Sequence, residues 1–193
     1  MLDNDSSVST QRLVYCMGPS GAGKDSLLAW LQDHTRHLHH LHWARRTIAR
    51  DVQTHGEQHE VVSEGDFLRL LGENAFAMHW SANHMRYGIR HAELAPLQQG
   101  HWVLVNGSRE YWPEVAERFA NVVLPVYIDA SPDVIRQRLL ARGRETLPHI
   151  EQRMARNALF SVPPDGIHIR NDSTLDAAGN ELLRQLQQPA GFV

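Results

Sequence analysis

The chain has 193 residues, of which 42% are hydrophobic and 21% are charged, and this composition predicts one soluble globular domain with a sizeable core. Its 19 basic and 22 acidic residues give a formal net charge of −3, so no overall positive field favours nucleic acid or an anionic membrane as a partner. The single cysteine, Cys16, excludes an internal disulfide. This suits the reducing cytoplasm, and we expect a cytoplasmic protein.

The polar N-terminus has neither the basic nor the apolar region of a secretory signal, and the chain has no run of about 18 apolar residues that could span a bilayer. We therefore expect no membrane partner. Residues 1–11 are expected to form a flexible tail, and residues 188–193 a short C-terminal tail.

Short apolar runs in the chain are predicted to be β-strands. They cover residues 12–17, 38–43, 101–105 and 122–128, with a weaker fifth run at 166–170. Segments with helical spacing alternate with these runs, over residues 25–35, 89–99, 109–120, 132–142, 147–159 and 175–186. Alternation of this kind predicts an α/β fold in which helices wrap a central parallel sheet.

Residues 50–88 interrupt this alternation. Ser63 with Asp66 resembles a helix-starting cap, and residues 60–62 and 76–80 have the character of short strands. We interpret this stretch as a small inserted subdomain.

The stretch GPSGAGKDSLL, residues 18–28, has the spacing of a phosphate-binding loop: a glycine, four spacer residues, a glycine and a lysine. A predicted strand precedes it and an amphipathic helix follows it. In this arrangement backbone N–H groups and a helix N-terminus surround phosphate oxygens while Lys24 reaches the outer phosphates. We expect ATP to bind here, through Gly18, Pro19, Ser20, Gly21, Ala22, Gly23, Lys24, Asp25 and Ser26.

Asp25 departs from this motif, which calls for serine or threonine after the lysine. A carboxylate at this position repels phosphate unless Mg²⁺ lies between them. The predicted strand at 101–105 is followed by Asn106, where an acidic residue normally holds Mg²⁺ or its water. We therefore hypothesise that Asp25 supplies the anionic metal contact that position 106 lacks.

The order of several motifs resembles the guanylate kinase branch of the nucleoside monophosphate kinases. These motifs are GPSGAGKD, RRTIARD, WSANHMRYGI, VLVNGS, RQRLLARGRE and RNDSTLD, and the resemblance covers about residues 12–187. Where guanylate kinases carry a pair of glutamates for the base, this chain has Met78 and Ser81. A buried base edge without a partner costs about 1–3 kcal/mol per group, so we expect no guanine recognition.

The combination of GPSGxGKDSLL, an (A/T)RD triplet and LVNGSR is instead similar to the ribose 1,5-bisphosphate phosphokinases of phosphonate catabolism. The resemblance implies a three-layer P-loop kinase fold of the guanylate kinase type over residues 12–187. A substrate-binding insertion would cover about residues 44–90 and a helical lid about residues 136–157. It also implies transfer of a phosphoryl group from ATP to ribose 1,5-bisphosphate, which forms 5-phosphoribosyl 1-diphosphate and ADP.

The same resemblance assigns residues to the acceptor. Its phosphates would contact Arg46, Arg50 and Tyr87, with Arg86 as an extra cation. Asp51 lies in the same region of the sequence and is a candidate to orient a ribose hydroxyl or a metal-bound water. Independently of the resemblance, the strand at 101–105 ends at the edge where open parallel sheets bind ligands. The residues after it would contact the ribose hydroxyls or phosphates: Asn106, Gly107, Ser108 and Arg109.

The resemblance also assigns the charges of the transition state. Lys24 and the lid arginines Arg138, Arg142 and Arg153 are the catalytic candidates, with Arg144 ranked behind them. Asn171 would border the adenine of ATP.

Two other functions stay open from the sequence. One is a kinase for a nucleoside monophosphate or another phosphorylated sugar, and the other is a noncatalytic guanylate kinase-like binding module, although such modules usually lose the phosphate loop. We expect ATP and Mg²⁺ as cofactors and a small phosphorylated sugar as the partner, and a homodimer stays open. Five histidines lie in HTRHLHHLHW. We expect no structural zinc site there, because neighbouring residues of a strand face opposite sides.

Overall fold

The computed structural model describes residues 12–50, 59–82, 85–143, 146–157, 159–160 and 162–188. The strands of this part of the chain are β1 (Leu13–Met17), β2 (Leu41–Trp43), β3 (Arg46–Ala49), β4 (His59–Val62), β5 (Phe76–Ala82), β6 (Met85–Arg90), β7 (Trp102–Asn106), β8 (Val123–Asp129) and β9 (Ile167–Arg170). The helices are α1 (Lys24–His34), α2 (Glu64–Gly72), α3 (His91–Leu94), α4 (Trp112–Arg118), α5 (Pro132–Arg142), α6 (Leu147–Asn157) and α7 (Leu175–Leu186). None of the described helices is long and apolar enough to cross a membrane.

Five strands form a parallel sheet in the order β2-β7-β1-β8-β9. Every residue of β1 is buried, which is the pattern of a parallel strand covered on both faces. On one face, Leu27 and Leu31 of α1 and Leu182 of α7 share a core with Val14 and Val126 of the sheet. This arrangement confirms the predicted α/β class with a central parallel sheet.

A second sheet, in the order β4-β3-β6-β5, lies against the other face of the parallel sheet. Ile48, Met78 and Ile89 of the second sheet share a core with Leu13 and Val103 of the first. The described chain thus has three layers, with α1 and α7 on one side of the parallel sheet and the second sheet together with α4 on the other.

Helix α2 lies within the second-sheet segment and begins where the sequence predicts. The Ser63 side chain accepts a hydrogen bond of 3.0 Å from the backbone N–H of Asp66, which satisfies one of the free donors of the first turn. Phe67 and Leu70 of α2 pack against Ala49 and Phe76 of the sheet. The predicted bounds of the insertion, about residues 44 and 90, stay a prediction.

Two predicted elements are wrong in part. The helix expected over 89–99 does not begin at residue 89, because Ile89 pairs with Arg46 and Met78 within β6. Only α3 is α-helical in this range, and Pro96 lies at the start of a 3₁₀ helix at Ala95–Gln99. Within the predicted strand at 38–43, only Leu41–Trp43 is extended.

Helices α5 and α6 form a pair that covers most of the segment predicted to be a lid. Ile135 and Leu139 of α5 are buried together with Ile150 of α6. Arg136 Nε donates to Glu151 Oε1 at 2.8 Å and links the two helices at the surface. The lid boundaries themselves stay a prediction.

Candidate active site

A cleft of about 770 Å³ opens beyond the carboxyl ends of β1 and β7, the edge at which open parallel sheets bind their ligands. The phosphate loop, residues 18–26, contributes most of its residues to this cleft. Arg46 and Tyr87 line it from the second sheet, and Arg142 and Arg153 line it from α5 and α6. The cleft therefore brings together the segments that the sequence assigns to donor, acceptor and lid.

The phosphate loop follows β1 and continues into the first turn of α1, which begins at Lys24. Gly23 has a φ of 85°, a left-handed conformation that glycine adopts without strain. A Cβ atom at this position would lie 2.5 Å from Asn171 Nδ2. The N-terminus of α1 therefore lies at the cleft beside Lys24, as a phosphate site requires.

Two side chains hold the loop through one carbonyl group. The carbonyl oxygen of Ala22 accepts from Asn171 Nδ2 at 2.7 Å and from Arg138 Nη1 at 3.1 Å. Asn171 is 3% exposed, and neither Asn171 nor Arg138 is among the described residues that line the cleft. The structure thus places these two predicted site residues behind the loop.

Asn106, at the end of β7, joins Lys24 and Asp25. Its Oδ1 accepts from Lys24 Nζ, and its Nδ2 donates to Asp25 Oδ1 at 2.7 Å. The Lys24 ammonium, 3.5 Å from the same carboxylate oxygen, is the main cause that lowers the pKa of Asp25 to about 2, and the Asn106 hydrogen bond adds to it. Burial lowers the pKa of Lys24, and the Asp25 charge opposes that shift. The loop therefore holds Asp25 as an anion.

Arg46 and Tyr87 face the cleft from the paired strands β3 and β6. Arg46 Cζ lies 5.8 Å from the centre of the Tyr87 ring, and Arg46 Nη2 lies 4.0 Å from Asp25 Oδ1. Arg50 follows β3 and is not among the cleft residues that the structure describes. Asp51 lies outside the described residues.

Arg86, the expected extra cation, faces the opposite side of the second sheet from Tyr87, because neighbouring residues of a strand alternate. Its Nε lies 2.5 Å from Glu64 Oε1 of α2. Within the described part of the cleft lining, Arg86 is absent, so its expected place beside the acceptor is wrong. Arg144, the other second-ranked cation, lies outside the described residues.

The turn after β7 is held by Tyr15. The Tyr15 hydroxyl accepts from the backbone N–H of Ser108 at 2.9 Å and donates to the Ser108 carbonyl at 3.0 Å. Burial raises the pKa of Tyr15 well above its ordinary value, so the hydroxyl keeps the proton that it donates. A Cβ atom on Gly107 would collide with the Tyr15 ring. Glycine is therefore needed where Gly107 and Ser108 line the cleft.

No family model matches the chain. A curated relative, ribose 1,5-bisphosphate phosphokinase PhnN of Burkholderia mallei, is 42% identical over 183 residues, which are 93% of this chain and 97% of that protein. The chain belongs to the ribose 1,5-bisphosphate phosphokinase (PhnN) family. Its relative of the same name from Janthinobacterium sp. is 41% identical over 179 residues, and the chain spans only 39% of that longer protein.

The guanylate kinase of Anaplasma phagocytophilum shares the fold. Its crystal structure matches 93% of this chain and 86% of its own with a TM-score of 0.64 and 16% sequence identity. At that identity the likeness concerns the fold alone. It confirms the expected P-loop kinase fold of the guanylate kinase type for this PhnN family member.

Cleft residues beyond those named so far come from the connection after β7, which includes the predicted Arg109, and from the end of α6. Arg156 forms an ion pair with Glu110, and Arg109 Nη2 donates to Asn157 Oδ1 at 2.7 Å. All four residues line the cleft. The sequence carried a signal for Arg156, since it lies three residues after Arg153 and therefore on the same side of a helix.

Two apolar residues of β5, Trp80 and Ala82, also line the cleft. The sequence drew attention to Met78 and Ser81 instead. Met78 is fully buried in the core, and Ser81 pairs with Arg86 on the side of the sheet that faces away from Tyr87. No polar pattern marks Trp80, so sequence reasoning about this end of the site missed it.

A magnesium ion fits the cleft as a partner of the nucleotide phosphates. Mg²⁺ is commonly held by one or two carboxylates together with substrate phosphates, and the Asp25 carboxylate is 77% exposed at the phosphate loop. Among the described residues, no group of three or more His, Cys, Asp or Glu side chains is placed to hold a metal ion. In the histidine-rich stretch, His42 instead contacts Glu93 at 2.8 Å.

Proposed function

We propose that the protein transfers the γ-phosphoryl group of ATP to the phosphate on C1 of ribose 1,5-bisphosphate, forming 5-phosphoribosyl 1-diphosphate and ADP. The observation that most supports this proposal is the cleft itself. In it the phosphate loop meets Arg46 and Tyr87 on one side and Arg142 and Arg153 on another. The identity of the acceptor is inferred from the relatives, which are named ribose 1,5-bisphosphate phosphokinases.

The donor phosphates bind at the phosphate loop. Its backbone N–H groups, the N-terminus of α1 and Lys24 provide the positive potential that a triphosphate needs. Asn171 and Arg138 fix the Ala22 carbonyl from behind. The loop is therefore preformed for ATP, because its backbone does not have to be ordered when the nucleotide arrives.

Asp25 would hold Mg²⁺ together with phosphate oxygens of ATP. With a pKa of about 2 the carboxyl group is ionised at neutral pH, and one of its oxygens is oriented by the Asn106 amide. When bound, the ion supplies charge neutralisation at the phosphates during transfer. In this assignment Asp25 is the anionic metal ligand, and the neutral amide of Asn106 orients it.

Arg46 and Tyr87 would hold the acceptor phosphate beside the loop, with Arg50 and Asp51 next along the chain and Gly107 and Ser108 at the sugar. An oxygen of that phosphate is already anionic near neutral pH, so no protein base has to remove a proton. It forms the new bond to the γ-phosphorus. The bond from that phosphorus to the β–γ bridging oxygen breaks, and ADP keeps the electron pair.

Arg142 and Arg153 would neutralise the charge that spreads over the transferring group. Both side chains enter the cleft from the helix pair α5 and α6, and planar guanidinium groups bind phosphate oxygens through two parallel hydrogen bonds. Closure of such a helix pair also excludes water from the reacting phosphate. Arg138, the third predicted cation, would add its charge from behind the loop, where it contacts the Ala22 carbonyl.

Product identification by phosphorus NMR tests the proposed function. With MgATP and ribose 1,5-bisphosphate we expect the resonances of ADP and of a sugar diphosphate to grow together, and with guanosine monophosphate in place of the sugar we expect no transfer. Lys24→Met removes the loop cation and serves as the control for contaminating kinases. Transfer to guanosine monophosphate without transfer to the bisphosphate contradicts the proposal.

A cytoplasmic location belongs to the same proposal. Cys16 is buried, and burial raises the pKa of its thiol to about 12, so this residue is an unreactive core thiol that suits a reducing compartment.

The homodimer that the sequence leaves open is checked by analytical ultracentrifugation.

A further inference from the structure

Trp80 lies at the acceptor end of the cleft. It stands on β5 opposite Tyr87 of β6, and it lines the cleft together with Tyr87 and Ala82. Only 9% of Trp80 is exposed. The indole is therefore a fixed part of the cleft wall and does not extend into solvent above it.

The Trp80 indole is stacked against two tyrosine rings. Its centre lies 5.6 Å from that of Tyr87 with the planes at 9°, and 5.8 Å from that of Tyr111 with the planes at 26°. Tyr111 precedes α4 and so belongs to the connection that follows β7. Offset stacking stabilises aromatic pairs beyond their burial alone, and here it fixes the indole from two different parts of the chain.

Arg46 is the cation nearest to this aromatic stack, and it indicates which part of a substrate would lie beside Trp80. Arg46 Cζ lies 5.8 Å from the centre of the Tyr87 ring, on which Trp80 is stacked. A phosphate held by Arg46 and Tyr87 would therefore have Trp80 and Ala82 as neighbours in the cleft wall. An indole is about the size of a purine, and it lies stacked on Tyr87, an aromatic ring of the kind on which a nucleobase can stack.

We propose that Trp80 determines acceptor specificity: its indole fills the place of a nucleobase, so the cleft admits phosphorylated sugars without a base and excludes nucleoside monophosphates. The sequence of β5, FAMHWSA, contains no carboxylate that could bind a base edge, which agrees with this exclusion. The inference rests on the proposed function, because it assumes that Arg46 and Tyr87 hold the acceptor phosphate.

Nucleotide binding to Trp80 variants tests this inference. The affinities of guanosine and adenosine monophosphate are measured by calorimetry, with the donor site filled by Mg²⁺ and a non-hydrolysable ATP analogue. We expect Trp80→Ala to bind both nucleotides about tenfold more tightly than wild type, since either base can then stack on Tyr87. Trp80→Phe keeps a ring in this place and should bind them as weakly as wild type does.

Two further measurements separate a filled base site from a general loosening of the core. Free indole refills the space in Trp80→Ala and should displace both nucleotides from it. Trp112 belongs to the same hydrophobic cluster and lies 5.9 Å from the Tyr15 ring, centre to centre, but it is not among the described cleft residues. Trp112→Ala therefore removes a comparable indole and should leave nucleotide affinity unchanged.

Several results overturn the inference. The first is that wild type and Trp80→Ala bind the nucleotides with equal affinity. The second is that Trp112→Ala gains as much nucleotide affinity as Trp80→Ala does. The third is that indole binds to Trp80→Ala without displacing the nucleotide. If Trp80→Ala does not fold, Trp80→Leu takes its place, and strong wild-type binding of either nucleotide overturns the inference without any variant. Failure of the proposed function is distinguished by turnover, because wild type then leaves ribose 1,5-bisphosphate unchanged whatever the nucleotide affinities are.

Discussion

The side-chain amide of Asn106 donates a hydrogen bond of 2.7 Å to the carboxylate of Asp25, although 81 positions separate the two residues in the chain. Asp25 stands where the phosphate-loop motif has a serine or threonine. Asn106 stands at the end of β7, where kinases with this motif normally have an acidic residue that holds Mg²⁺ or its water. Both departures from the motif therefore meet in one contact, next to Lys24. This proximity fits the hypothesis that Asp25 supplies the anionic metal contact that Asn106 cannot supply. The role of Asp25 in metal binding stays a prediction.

Asp25→Ser tests the metal contact. We expect this variant to need roughly tenfold more Mg²⁺ for half-maximal rate, because a hydroxyl is a neutral ligand where wild type has an anion. The double variant with Asn106→Asp returns a carboxylate to the adjacent strand end and should recover most of the loss. Asp33→Ser removes an exposed carboxylate from the last turns of α1 and is the control. An unchanged Mg²⁺ requirement in Asp25→Ser contradicts the assignment.

The pH dependence of the reaction depends on the Lys24–Asp25 pair. Burial lowers the pKa of Lys24, and the Asp25 charge opposes this shift, so without that charge Lys24 loses its proton at a lower pH. We therefore expect the alkaline limb of kcat/KM for MgATP to move to lower pH in Asp25→Asn, measured at saturating Mg²⁺. The Asp25 carboxyl, with a pKa of about 2, adds no acid limb near neutral pH. An alkaline limb that stays in place or moves upward is the contrary result.

Arg138 distinguishes support of the loop from charge in the transition state. Its Nη1 donates to the Ala22 carbonyl, and the family resemblance assigns its charge to catalysis. Arg138→Gln removes the charge, and its shorter side chain also gives up the contact to the Ala22 carbonyl, so we expect kcat to fall roughly 10²-fold. Wild-type kcat in this variant would contradict the assignment of the Arg138 charge to catalysis.

Asn171→Leu is the companion variant, since it removes the other donor to the Ala22 carbonyl. The buried carbonyl loses a partner without any change in charge. We expect the free energy of unfolding to fall by about 1–3 kcal/mol and the KM for ATP to rise, while kcat changes less than in Arg138→Gln. Denaturant unfolding and steady-state kinetics measure the two effects. A larger loss of kcat in Asn171→Leu than in Arg138→Gln contradicts this division of roles.

The sequence predicted those parts of the fold that are determined by neighbouring residues. The phosphate loop is a local motif between a strand and a helix, and its glycines are required by the loop geometry itself. The predicted bounds of α5 and α7 agree with the structure because each helix starts at a side-chain cap, Ser131 and Thr174 respectively. Local chemistry decides such elements, so the sequence reveals them.

The parts that depend on pairing across the second sheet could not be predicted. Arg46 reaches the cleft because β3 pairs with β6, but the sequence pattern predicts no strand at residues 46–49. Ile89 belongs to β6 for the same reason, and this pairing outweighs the helical spacing of 89–99. Arg86 and Tyr87 are neighbours in sequence but face opposite sides of the sheet.

Helix α6 is anchored by the connection that follows β7. Arg156 forms an ion pair with Glu110, and the side chain of Arg109 binds Asn157, while Arg153 of the same helix enters the cleft. Because a helix moves as a rigid element, contacts at its end fix the position of Arg153 relative to the phosphate loop. An exposed ion pair contributes only about 0–1 kcal/mol to stability, so its loss should be visible in the rate.

Breaking the Glu110–Arg156 pair should therefore lower kcat more than it lowers stability. We expect Glu110→Gln to reduce kcat roughly tenfold, because the lid cation Arg153 is then held less well, with a melting temperature close to that of wild type. If the pair acts as a unit, the double variant with Arg156→Gln loses no more than the worse single variant. Glu114→Gln removes an exposed charge from the first turn of α4 and should have wild-type kcat. Losses that multiply in the double variant, or a kcat in Glu110→Gln equal to that of Glu114→Gln, contradict the role of this ion pair.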